Sequence, residues 1–267
     1  MTSVTAHDYA WIRSSPFFRY ALETGYALTL VHGVAPGEVL RVMEAEPQGI
    51  GAGLDALIEQ QDELLEATDY SYESFIAGAF TVPGAGGDWT LVLHFDGGVG
   101  MQPRFLEALS AGGRAVGHSS NGGKPIHLFH WYEDGQLRTA FEWPTARDGS
   151  TPDALNPVMR EVGFHLSDGE GDTGVPVDTK AAVLALAERL TGVRVTEELL
   201  QEAEYRLGLV PEEPAEEWTG IVIDITDAHG ERLYKEVSRE EVESAMARAR
   251  AEAAEPIVIR RPSSPAP

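Results

Sequence analysis

The Asp134-Gly135 dipeptide limits how this chain can fold more than any other pair of its residues. A two-residue type I′ turn needs positive φ at both central positions, which Asp-Gly accepts and most pairs resist. Aromatic and β-branched residues flank it from His127 to Trp143, as hairpin strands require. An uninterrupted ladder from that turn sets Glu133 against Gln136, Tyr132 against Leu137, Trp131 against Arg138, His130 against Thr139 and His127 against Glu142. One face of the ribbon then carries Leu128, His130, Tyr132, Leu137, Thr139 and Phe141. The other carries His127, Phe129, Trp131, Arg138, Ala140 and Glu142.

Upstream, short helices are expected around Tyr9–Ile12 and Pro16–Glu23, and a strand over Tyr26–His32. Pro36–Met43 reads as a helix with proline in its first turn, and Pro47–Gly53 as a turn-rich connection. Leu54, Leu57, Ile58, Gln61, Leu64 and Leu65 recur at helical spacing, with acids on the remaining surface. Phe75–Val82 is a strand candidate, Pro83–Gly87 a loop, and Trp89–Phe95 a strand in which Trp89, Leu91, Leu93 and Phe95 share one face. Pro103–Ser110 is a short helix and Arg114–Ser119 a strand, which turns at Ser120–Gly123 into the hairpin. After the hairpin come a loop at Arg147–Ser150 and a helix near Pro152–Val162. Asp178 is placed to cap a helix ending at Gly192, and Thr196–Leu207 is expected to be one more. The fold class is therefore α+β: a mostly antiparallel sheet of about five or six strands with helices packed on one face.

Residues 1–210 make the main domain, and the acidic, proline-bearing stretch 211–217 is a linker. Beyond it, residues 218–260 read as a small ββαβ unit. Ile221, Ile223 and Ile225 alternate, a turn sits at Ala228–Gly230, Ser238 and Glu241 form a capping box, and Ile257–Ile259 offers a last strand. Residues 261–267 read as a disordered tail.

Composition bounds the function. The net charge of −23 argues against nucleic-acid backbones and anionic membrane surfaces as partners and favours a basic protein. There is no cysteine, no signal-peptide pattern at the N-terminus and no apolar run of membrane-spanning length, so a cytoplasmic location is expected.

No local pattern proposes a catalytic residue, a cofactor or a metal. His127 and His130, three apart on a strand, fall on opposite faces and cannot share an ion without a bulge. Asp168–Gly174 resembles a calcium loop, but its glycine is one place late and Thr179 stands where a glutamate is needed. The run Gly117–Gly122 lacks nucleophile-elbow spacing, and Gly84–Gly87 has no following lysine. Phe129, Trp131 and Arg138 are the interaction candidates, because an aromatic–Arg patch is typical of interface hot spots. The competing structural reading is an indole–guanidinium pair that stabilises the ribbon.

Five stretches taken together resemble a domain family of uncharacterised proteins from GC-rich, streptomycete-type bacteria. They are Tyr26–Val34 with Pro36–Leu40, Gly87–Leu93, Leu109–Val116, Asp134–Leu137, and Ala185–Val193 with Thr196–Leu200. The resemblance covers roughly residues 9–210. It implies a fold and a lineage and carries no catalytic residue.

Three functions are compatible with these features. The first is a non-enzymatic acidic interaction module, for instance an immunity or antitoxin-type protein masking a basic partner. The second is a sensor or enzyme with a small-molecule pocket between sheet and helices, and the third is an accessory subunit of a larger assembly.

Overall fold

The structure is a computed structural model that describes residues 4–70, 74–96, 100–121, 127–166, 178–211, 220–226, 232–238, 240–242 and 244. A 3-10 helix, Ala6–Arg13, precedes α1 (Pro16–Thr24), β1 (Tyr26–His32), α2 (Pro36–Val42) and β2 (Glu46–Ala52). Next come α3 (Gly53–Ala67), β3 (Phe75–Gly84), β4 (Gly87–His94), α4 (Pro103–Leu109) and β5 (Arg114–Ser120). The hairpin strands are β6 (His127–Glu133) and β7 (Gln136–Trp143), followed by β8 (Ala146–Asp148) and α5 (Asn156–Val162). The first unit closes with α6 (Thr179–Thr191), α7 (Glu197–Glu202) and β9 (Glu204–Val210).

These nine strands form one antiparallel sheet in the order β2-β9-β3-β4-β1-β5-β6-β7-β8. The fold is α+β, but the sheet is wider than the five or six strands expected. It is also covered on both faces. On β1 and β4, Leu28, Leu30, Leu91 and Leu93 join one core with α3, α5, α6 and α7, while Val31 and Val92 point the other way. There they meet Val39, Leu40 and Met43 around α2, and Phe105, Leu106 and Leu109 of α4. The expectation of helices on one face fails because the central strands are apolar on both sides, as doubly covered strands must be. Each fully buried Leu or Phe contributes about 1.5–3 kcal/mol.

Two further expectations are corrected. Pro47–Gly53 is not a connection: Glu46–Ala52 is the edge strand β2, paired among the described residues with β9 alone. An edge position with a bulge between Pro47 and Gly49 tolerates a residue that cannot donate to a ladder. Thr196–Leu207 is not one helix. Thr196 caps α7 by accepting from the Leu199 amide, but Ala203 is extended (φ −64, ψ 145) and the chain continues as β9. Tyr205 and Leu207 still point into the larger core, from a strand rather than a helix.

The hairpin turn forms as its residues require, with Asp134 at φ 52 and Gly135 at φ 72. Glu133 pairs with Gln136 and Tyr132 with Leu137, but Trp131 then pairs with Thr139, His130 with Ala140 and Phe129 with Phe141. Arg138 is therefore an extra residue, a β-bulge, and beyond it every β7 side chain changes face relative to an unbroken ladder. The expected Trp131–Arg138 and His130–Thr139 pairs do not occur. The bulge serves a tie: the Arg138 carbonyl accepts from the Thr151 amide (2.8 Å) and hydroxyl (3.1 Å), and Thr139 donates to the Thr151 carbonyl (2.8 Å).

Asp178 caps α6 through the amides of Lys180 and Ala181, and Gly192 ends it in the left-handed region at φ 69. Residues 1–212 cluster as one compact unit and 213–267 as a second. In the second, β10 (Gly220–Thr226) and β11 (Arg232–Ser238) pair antiparallel. The Ser238–Glu241 capping box forms, with the Glu241 carboxylate accepting from the Ser238 amide at 2.9 Å and the Ser238 hydroxyl accepting from the Glu241 amide at 3.3 Å. The turn at Ala228–Gly230, the strand at Ile257–Ile259 and the tail lie outside the described residues, as do Ser167–Val177 with their acidic loop.

Candidate functional site

Phe129, Trp131 and Arg138 do not form an exposed patch. Phe129 is fully buried and stacks on Phe141, with ring centroids 4.9 Å apart. Trp131 is half-buried between two guanidinium groups, with Arg114 Cζ 5.8 Å and Arg138 Cζ 5.9 Å from its ring centre. Arg114 is itself engaged, donating to Glu133 at 2.6 Å and to the Leu190 carbonyl at 2.9 Å. Arg138 thus reaches the indole from a bulge rather than from the directly opposite position.

The histidines of this region separate across the sheet. His118 pairs with Phe129 and Gly117 with His130, so His118 and His130 lie on opposite faces. His118 Nδ1 is 3.1 Å from the Tyr26 hydroxyl, whose pKa burial pushes up. Burial alone pushes the His130 imidazole below its usual range. The side chain of His127 is outside the described residues, among which no group of three His, Asp or Glu is placed to hold a metal ion.

A second cluster, assembled from distant positions, was not visible from local patterns. His94 at the end of β4 is fully buried and stacks on Phe75 at 4.3 Å. Its Nδ1 is 3.4 Å from Asp96 Oδ2, which also accepts from the Gly100 amide at 2.7 Å. Ala27 pairs with both His94 and Ser119, which puts those two on the same face with β1 between them. The composition is that of a hydrolytic triad, but two strand spacings separate the Cα atoms of His94 and Ser119 by about 10 Å. The His94 ring leans on Phe75 of β3, away from β1, and Ser119 Oγ has no hydrogen-bond partner among the described residues. These groups do not make a nucleophile–base pair.

Two surface features bear on function. One is a cleft of about 360 Å³ between α2 and the β2–β9 edge, on the α2 face. Leu40, Ala45, Pro47 and Ile50 give it apolar walls, and among the described residues Arg41 and Arg206 are its only charges. The other is a groove of about 550 Å³ beside α7, with Phe80 and Leu199 in its lining and Glu198, Glu202 and Glu204 around them. The helix beside it, α7, packs on α3. Every titratable residue of both helices is a carboxylate: Asp55, Glu59, Asp62, Glu63 and Glu66 on α3, and Glu197, Glu198 and Glu202 on α7. The acids of α3 were legible from helical spacing; their union with α7 was not, because it comes from packing.

No helix among the described residues is long and apolar enough to cross a membrane. No curated protein and no solved structure matches the chain. Residues 2–215 match the family of unknown function DUF6461, a span that ends close to the boundary of the first compact unit, and the chain therefore belongs to that family.

Proposed function

We propose that this protein is a non-enzymatic docking module whose α3–α7 face covers a basic partner, in the manner of an immunity or antitoxin-type protein. The observation that carries this reading is that α3 and α7, packed together, carry acids and no cation of their own. On α3 the acids recur at i, i+3 and i+4 (Asp55, Glu59, Asp62, Glu63, Glu66), and all are exposed. Like charges at that spacing cost an isolated helix a few tenths of a kcal/mol per pair. A cationic partner removes that repulsion on binding. The groove beside α7 adds the rest, because apolar side chains with glutamates around them suit a basic amphipathic helix presenting one apolar anchor.

The test is retention of partners from native lysate by the full chain and by a variant with Asp55, Glu59, Asp62, Glu63 and Glu66 changed to their amides. A basic protein should be held at low salt, released as ionic strength rises, and absent from the variant. Retention indifferent to both salt and substitution, or no retained basic protein at all, sinks this reading.

A second reading, binding of a small molecule between sheet and helix, is favoured by the α2 cleft. Its volume falls in the range of ligand sites, and its walls are mainly apolar with few polar groups.

A further inference from the structure

We infer that the cleft between α2 and the β2–β9 edge binds a small organic anion, an apolar body carrying one anionic head group that Arg206 receives. This rests on the small-molecule reading of the same cleft and adds the chemical class of ligand.

Size comes first. With liquid water taking about 30 Å³ per molecule, a cleft of about 360 Å³ holds a ligand on the order of a dozen non-hydrogen atoms. The walls decide the body. Leu40 and Ala45 come from the α2 side and Pro47 and Ile50 from β2. Ile50 is 62 % exposed, a large apolar side chain left at the mouth. Residues Gly37, Gly49 and Gly208 expose backbone where side chains would narrow the space.

The charges decide the head group. In a chain with 43 acidic and 20 basic residues, the only titratable residues lining this cleft among the described residues are two arginines. Arg41 is occupied by Glu38, which accepts from its Nε at 2.8 Å and its Nη2 at 2.5 Å. Arg206 has no hydrogen bond or ion pair among the described residues. Its stem runs along α2, where a Cβ built on Gly37 would lie 3.6 Å from Nε. It pairs across the strands with Ile50, so guanidinium and exposed isoleucine stand side by side on one face of the sheet. An apolar wall beside an unengaged planar fork of donors matches a carboxylate or phosphate on an apolar body, and repels a cation.

The experiment is an amide-resolved NMR titration of the full chain with three probes sharing one alkyl body: decanoate, decanol and decyltrimethylammonium, each below its micelle-forming concentration. Decanoate should shift the amides of Gly37, Gly49, Ile50 and Gly208 saturably, with a dissociation constant on the order of 0.1 mM. Arg206→Met keeps the stem and removes the charge; it should weaken decanoate about tenfold and leave decanol within about twofold. Ile50→Ala should weaken both. Arg206 and Ile50 are exposed, so neither change opens the core. Equal binding of decanoate and the ammonium probe, or an Arg206→Met variant that binds decanoate undiminished, overturns the anion assignment while leaving the cleft a ligand site. Silence of those amides to all three probes overturns both.

Discussion

The placement of Phe141 opposite Phe129 offers the sharpest check on the hairpin, because an unbroken ladder puts the two rings on opposite faces of the sheet. In the structure both are buried, stacked at 4.9 Å with planes 23° apart, and Phe164 meets Phe141 edge-on at 5.7 Å. Truncating either ring to alanine should cost about 3–5 kcal/mol, enough to threaten the fold, so leucine is the better probe. Each Phe→Leu change should cost roughly 1–1.5 kcal/mol, since much of the volume is kept. An aromatic pair contributes about 0.5–1.5 kcal/mol beyond its area, and that excess is what a double-mutant cycle isolates. The cycle of Phe129→Leu and Phe141→Leu, read by urea denaturation of the full chain, should give a coupling in that range. A parallel cycle of Leu128→Ala with Phe141→Leu should give almost none. Each kcal/mol corresponds to a melting shift of about 2–4 °C for a chain of this size, within reach of a thermal scan. If Phe129 and Phe141 prove additive to about 0.3 kcal/mol while Leu128 and Phe141 couple, the bulge at Arg138 is refuted and the unbroken ladder stands.

Three other outcomes are expected. Deleting Arg138 keeps every β6–β7 pair and removes the bulge, its carbonyl and the guanidinium beside Trp131, so the protein should fold with a loss of about 1–3 kcal/mol; failure to fold counts against this account. Asp178→Ala removes the α6 cap and the Arg13 contact at 2.7 Å and should cost about 1–2 kcal/mol at neutral pH by denaturant melts. Burial opposes the Asp178 charge, but Arg13 and the Lys180 and Ala181 amides outweigh it and hold the pKa below the ordinary 3.8. The stabilisation from this charge is therefore complete above that value and lost as pH falls through the lower folded pKa, a loss the variant should not show. For His130, burial lowers the pKa below the usual 6.5. The unfolded chain takes up the proton first, so stability should fall as pH drops below 6.5 toward the folded pKa, and His130→Gln should flatten that part of the profile.

Local chemistry made much of this fold readable. The Asp134-Gly135 turn, the Asp178 and Gly192 caps of α6 and the Ser238–Glu241 box each depend on a few neighbouring residues, and each forms. What local chemistry does not encode is partnership. The segment Glu197–Leu207 has strong helix formers and apolar residues at helical spacing; only pairing with β2 and β3 draws its second half into a strand. Glu46–Ala52 carries turn residues that an edge strand accepts once β9 is beside it. Two-sided burial could have been inferred from Thr90, Val92 and His94, which sit between the apolar residues of β4 without a charge among them. The bulge at Arg138 has no signature of its own, because nothing in the strand announces that Thr151 will need its carbonyl. The His94–Asp96–Ser119 cluster and the α2 cleft are products of strand order, which joins residues far apart in the chain.

The borders of the nine-stranded sheet carry a consequence for crowded solution. At one margin β2 offers a proline, which has no amide hydrogen, and a register break between Pro47 and Gly49. At the other, β8 is only three residues long. A wide sheet with two long, regular margins would recruit neighbouring copies by continuing its ladder, the first step toward insoluble polymer. Here an arriving strand finds a missing donor on one side and too short a template on the other, so growth from either side has nothing regular to copy.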